Sequence, residues 1–166
     1  MTLSILLSFI GEGTTDNRFI PNIAERLIEQ LLLQENIQAT IQWQIIEKKG
    51  ASSAERILYA AKQAKYCATL IVHSDSDDRN PITAFENKIK PGLDAIANSD
   101  EEACNNLTIV IPITETEAWM LVDKELLKEE MNTSLSNHEL GLTYQLSRIE
   151  NIGNPKQTLE NAINTH

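Results

Sequence analysis

The stretch LSILLSFIGEGTTD, residues 3–16, carries the clearest structural signal in this chain. Leu3 to Ile10 is a nearly unbroken apolar run of strand length, as expected for a strand buried on both sides. It stops at Gly11-Glu12-Gly13, a tight turn that spares side-chain bulk. Thr14 or Thr15 is then placed to cap a helix. No basic segment precedes the run, and it enters a polar turn without a cleavage pattern, so it reads as a strand and not a secretion signal.

Working outward, the helix is expected to reach about Gln34. Phe19, Ile20, Ile23, Leu27, Leu31 and Leu32 recur at helical spacing, with Pro21 near the start. Ala39 to Glu47 alternates, placing Ile41, Trp43 and Ile45 on one side of a second strand. Ser52-Ser53-Ala54-Glu55 is a capping box that opens a helix to about Tyr66. Ala68 to His73 reads as a third buried strand. Thr83-Ala84-Phe85-Glu86 is a further box, starting a helix interrupted near Pro91-Gly92. Leu107 to Ile113 reads as the fourth strand. Thr114-Glu115-Thr116-Glu117 follows in capping-box register, before a helix carrying Trp119 and Leu121.

This alternation predicts an α/β fold: a mostly parallel four-stranded sheet with helices on both faces, over residues 1–131. Residues 132–166 read as a small helical C-terminal extension, with helices near Glu139 to Ile149 and Pro155 to Ile163. Right-handed crossovers bring the strand-to-helix loops to one edge of the sheet, where ligands of such sheets bind.

The chain has 166 residues, 42% of them apolar and 23% charged, as in one globular domain. A net charge of −10 argues against a broad basic face for nucleic acid. No apolar run is long enough to cross a bilayer, so no membrane role is expected. Cys67 and Cys104 fit no zinc pattern and suit a reducing, cytoplasmic setting.

The acids fall at the expected edge. Glu12 follows strand one, Asp75, Asp77 and Asp78 follow strand three, and Glu115 and Glu117 follow strand four. In an extended Asp75-Ser76-Asp77 both carboxylates point the same way and repel unless a cation lies between them. Oxygen ligands without Cys or His suit a hard ion, Mg²⁺ or Mn²⁺. The plainer alternative is a solvated loop with aspartates as turn formers. Glu12 is either an exposed turn residue or a metal ligand or general base. Glu117 is equally placed to cap a helix, which leaves Glu115 the freer second metal position. Arg79 holds a phosphate or pairs with Asp78. His73 is either a general acid or, the favoured and plainer reading, a strand-end residue bonded to backbone. Lys48 and Lys49 follow strand two at the same edge and either face a phosphate backbone or are solvated. Trp43 and Trp119 lie on apolar faces.

These motifs in this order resemble the Toprim domain of topoisomerases, primases and OLD-family nucleases, and most closely the small bacterial stand-alone Toprim-like proteins. The matching elements are Glu12-Gly13-Thr14-Thr15-Asp16, Asp75-Ser76-Asp77 and Glu115-Thr116-Glu117-Ala118-Trp119, with Asn154-Pro155-Lys156 as a later proline-lysine element. The resemblance spans roughly Leu3 to Val122. It implies Mg²⁺-dependent phosphodiester chemistry on nucleic acid, often nucleolytic and tied to phage defence. By carry-over Glu12 is the general acid/base or a ligand, and Asp75 and Asp77 are metal ligands. Glu115 or Glu117 assists, and Asp16 and Lys156 are supporting residues. In a two-metal site one ion activates water and the other stabilises the leaving oxygen. One departure stands out: the chain offers few basic residues for a nucleic-acid backbone. The alternative is therefore a non-catalytic or degenerate module acting through a protein partner such as an ATPase. A nucleotide-sugar transferase shares Asp-x-Asp but has no place for the Gly-Glu-Gly turn.

Overall fold

The computed structural model describes residues 3–77 and 80–165. By its own internal contacts the chain divides into two compact units, Met1–Ser74 with Ile82–Ile111, and Asp75–Pro81 with Pro112–His166. The boundary expected after residue 131 thus falls inside the second unit.

The first unit holds a four-stranded sheet in the order β2-β1-β3-β4, with every neighbouring pair parallel. The strands are β1 (Leu3–Ile10), β2 (Ala39–Ile45), β3 (Thr69–His73) and β4 (Leu107–Val110). The expected α/β class is therefore present. β1 and α1 (Thr14–Gln34) end where periodicity placed them. β1 and β3 are central, and both alternating sets of side chains are buried over residues 7–10 of β1 and 70–73 of β3. Ile10, Leu70 and Val72 face one way, into a core shared with α2 (Ser53–Gln63) and α4 (Lys90–Ala97). Phe9 and His73 lie on the other face, their rings stacked at 6.5 Å, with Asp16 of α1 3.7 Å from His73 Nδ1. The order explains this division: the chain leaves β1 in one direction to reach β2 and crosses back to reach β3. Right-handed crossovers then put α1 on one face and α2 and α4 on the other.

Several local expectations are corrected. Gly13, not a threonine, is the N-cap of α1, and its N–H donates to Asp16 Oδ2 at 2.8 Å. Pro21 lies inside α1 and is buried, not at its start. The apolar stripe of α1 is only partly covered: Ile20 is 4% exposed, but Leu27 is 54% and Leu31 60% exposed. The third helical segment begins at Pro81, ahead of the Thr83 box. α3 (Pro81–Ala84) runs into a π-helical turn, Phe85–Ile89, and then α4. Pro91 in the first turn of α4 donates nothing to the ladder and its ring crowds the carbonyl four residues back, and a wider π turn precedes it. The Ser52–Glu55 capping box forms as expected, Glu55 N–H donating to Ser52 Oγ at 3.2 Å.

The second unit is built on Leu121, Leu140, Leu142 and Ala162, with Tyr144, Ile149 and Leu159 packed around them. It contains α5 (Glu117–Met120), α6 (Lys124–Glu130), a 3₁₀ segment Leu146–Asn151 and α7 (Pro155–Thr165). The Thr114 register does not set the start of α5, which begins at Glu117 after Thr116 without a side-chain cap. The helix expected near Glu139 to Ile149 is replaced by turns and the 3₁₀ segment. Leu140 and Leu142 both enter the core, a two-residue spacing that an α-helix places on opposite sides. Gly141 between them, at φ 72°, supplies the left-handed turn.

Candidate functional site

All strands being parallel, their C-terminal ends share one edge. The sheet order reverses between β1 and β3, and in open parallel sheets that is where ligands sit. The register Ile10↔Val72, continued by two residues, sets Glu12 level with Ser74. The side chains meet there: Ser74 Oγ donates to Glu12 Oε1 at 2.6 Å. Ser74 is itself buried and its N–H donates to Val110 O at 3.1 Å, so the carboxylate is tied to the sheet. Gly11 makes the approach feasible, since a Cβ there would stand 2.7 Å from Phe9 Cε1.

Around Glu12 lies a cavity of about 250 Å³. Lys48, Arg56, Lys88, Ser53 and His73 also line it. Lys88 Nζ is 3.6 Å from Glu12 Oε1. Lys48 Nζ donates to the Glu12 carbonyl. Arg56 is held by the loop before α2, its Nε donating to Gly50 O at 3.0 Å and Nη2 to Ala51 O at 3.4 Å. Among the described residues no carboxylate pairs with it. The three cations come from the loop after β2, from α2 and from the π turn, so a chain of net charge −10 gathers positive charge at one point. Of these residues sequence reasoning singled out only Lys48. Arg56 and Lys88 sit on helices where a basic residue reads as surface, and Ser74 was passed over between His73 and Asp75.

The remaining candidates are placed as follows. Asp16 is a helix-capping residue, and its Oδ2 also faces His73. His73 is buried, its ring stacked on that of Phe9. Lys49 lies over the Tyr59 ring at 5.3 Å. Trp43 Nε1 donates to Glu25 Oε2 at 2.9 Å, and Trp119 Nε1 to Glu150 Oε1. Asp78 and Arg79 lie outside the described residues.

In the second unit, the Asp75-Ser76-Asp77 loop is anchored by Ser76 Oγ, which donates to Ile113 O. Two residues on, Glu115 Oε2 accepts from the Lys156 N–H at 3.4 Å. The Asp-x-Asp element, the Glu-x-Glu element and Lys156 are thus linked within one unit. The loop is not extended: Asp77 has φ 53°, a left-handed conformation that aspartate tolerates and that breaks simple alternation. Asp75, Glu115 and Glu117 are half-buried and Asp77 is exposed. Among the described residues no three His, Cys, Asp or Glu side chains are gathered into a metal-holding group. Carboxylate oxygens are the donor type that Mg²⁺ takes, ordinarily one or two with water completing its shell.

Compared with known protein families, curated proteins and solved structures, the chain matches none.

Proposed function

We propose that this protein carries out metal-dependent phosphodiester hydrolysis on nucleic acid, as a nuclease of Toprim type. The observation that carries the reading is the Glu12–Ser74 pair at the β1/β3 reversal, which sets a sheet-anchored carboxylate in a cation-lined cavity. In this reading Asp75, Asp77 and Glu115 would hold Mg²⁺ or Mn²⁺, with Glu117 and Asp78 assisting. The ion would supply an activated water and neutralise charge on the phosphate. Glu12, part-exposed and bonded to Ser74, is suited to hold or move a proton. Lys48, Arg56 and Lys88 bind the phosphate backbone and answer the shortage of basic residues suggested by composition. Among the described residues no helix is long and apolar enough to cross a membrane. A cytoplasmic, phage-defence setting belongs to the same proposal.

The test is a thermal melt and a cleavage assay on wild type and the Asp75→Ala/Asp77→Ala variant, with EDTA, Mg²⁺ and Mn²⁺. A metal-dependent rise in melting temperature and cleavage of DNA or RNA are expected in wild type only. Cleavage persisting in the variant would sink the assignment.

One observation favours a second reading. The exposed Leu27 and Leu31 on α1 suit a module that works through a protein partner such as an ATPase. That reading predicts metal binding without turnover by the chain alone.

A further inference from the structure

We propose that β2 is a dimer interface: two copies of this chain join their β2 edges, antiparallel about a two-fold axis at Gln42, into one continuous sheet. The interface is independent of the hydrolase reading.

β2 is an edge strand in the order β2-β1-β3-β4. An edge presents unpaired N–H and C=O groups, and proteins usually blunt it with charge, proline or a bulge. Ala39–Ile45, ATIQWQI, has no charged residue and no proline, and its register with β1 runs without a bulge. The other edge, β4, is only Leu107–Val110. The ladder to β1 decides which groups of β2 face outward. Leu3 N–H donates to Gln38 O at 3.2 Å, and Ile46 N–H donates to Phe9 O at 2.8 Å. With a period of two, the even residues turn their backbone to β1, and Ala39, Ile41, Trp43 and Ile45 turn theirs outward. Outside that ladder, no hydrogen bond among the described residues uses the backbone of Ala39–Ile45.

A second copy fits this edge in one register. Antiparallel strands exchange bonds between residues that face each other. A two-fold axis at Gln42 engages every outward residue, setting Ile41 opposite Trp43 of the second copy and Ala39 opposite Ile45. An axis at Ile41 or Trp43 would leave Ile45 or Ala39 without a strand partner. The apolar pairs then lie on the α1 face, where Trp43 Nε1 already reaches Glu25, and Thr40, Gln42 and Gln44 meet on the other. Aromatic with β-branched pairs are favoured across strands, and Ile45, 42% exposed, gains cover. Charge agrees. Glu35 precedes the strand, and Glu47-Lys48-Lys49 after it is net positive, so antiparallel pairing sets an acidic end beside a basic one.

The experiment is sedimentation of the full chain over a concentration series, with substitutions at the exposed Thr40 and Gln42. Wild type is expected at twice the chain mass. Gln42→Lys sets like charges across the axis and should weaken association by about tenfold or more, with the circular dichroism of wild type. Gln42→Glu should do the same, and an equimolar mixture of the two variants should regain the dimer. Oxidation reads the axis directly. Opposed residues that exchange no hydrogen bonds lie about 4.5 Å apart, within disulfide reach. Gln42→Cys should therefore cross-link two chains above the wild-type background, and Thr40→Cys, opposite Gln44, should not. A wild type that stays monomeric at its highest soluble concentration would overturn the proposal and leave the edge to a strand of another protein. So would a dimer as tight in Gln42→Lys as in wild type, a mixture that stays monomeric, or equal cross-linking from both positions.

Discussion

Replacing Glu12 by glutamine separates two effects of one carboxylate. The amide oxygen still accepts from Ser74 Oγ, which lies 2.6 Å from Glu12 Oε1. The charge facing Lys88 Nζ at 3.6 Å disappears. That pair is well solvated, its side chains 42% and 28% exposed, and loss of such a pair costs about 0.2–1 kcal/mol. The melting temperature should therefore fall by less than about 4 °C. Phosphate affinity should move the other way. A dianion about 6 Å from the carboxylate, in water-like surroundings, is repelled by roughly 1.4 kcal/mol, or about tenfold in Kd. Calorimetric titration of inorganic phosphate in EDTA at low salt should show Glu12→Gln binding about tenfold tighter than wild type. Cleavage with Mg²⁺ should be lost in the same variant, since an amide neither takes a proton nor ligates strongly. Weaker phosphate binding in Glu12→Gln would refute the reasoning, because the carboxylate would then be organising the cations and not opposing the ligand.

Two further predictions concern the scaffold of each unit. A Cβ at Gly92 would stand 2.6 Å from Ile57 Cβ, so Gly92→Ala must push α4 off α2. With three Ile57 atoms within 2.8 Å, overpacking near the upper end of about 1–3 kcal/mol outweighs about 1 kcal/mol of improved helix propensity, so the urea midpoint should fall by the equivalent of about 1–2 kcal/mol; an unchanged midpoint would mean that the two helices part freely. Burial pushes the Tyr144 phenol up to about 12 from 10.0, and its hydroxyl donates to Leu121 O at 2.8 Å. A raised folded-state value means stabilisation present below about pH 10 and lost as pH rises through about 12. Wild type should therefore lose stability across that window by thermal melts, with a late phenolate absorbance step. Tyr144→Phe should lack both, and a variant with the same alkaline loss would exclude Tyr144 as its source.

Much of the fold was legible because its signals are local. The apolar run of β1 placed that strand at its observed bounds, and the helical spacing of α1 placed its end at Gln34. The Ser52–Glu55 box placed the start of α2, since a capping box is a bond pattern within four residues. Where similar local patterns failed, tertiary packing had overridden them. Leu140 and Leu142 both enter a core, so the helix proposed over Glu139 to Ile149 gives way to turns. At Thr114–Glu117 the chain satisfied the box in letters, but the helix began later. The candidate site was legible in part. Glu12 and the Asp75-Ser76-Asp77 element were visible as acids after strands, but Arg56 and Lys88 gave no sign, because a basic residue on a helix reads as surface until its neighbours are known.

The sequence by itself determined the order and kind of elements in the first unit and the clustering of acids at the ends of strands. Hydrophobic period and capping act over a few residues and need no knowledge of the rest of the chain. Only the tertiary structure decided the order β2-β1-β3-β4, and with it the bond from Ser74 to Glu12, 62 residues apart. It also decided that Lys48, Arg56 and Lys88 share one cavity in a chain of net charge −10. Strand order and the meeting of distant side chains depend on which faces bury each other, a property of the folded whole that no local pattern encodes.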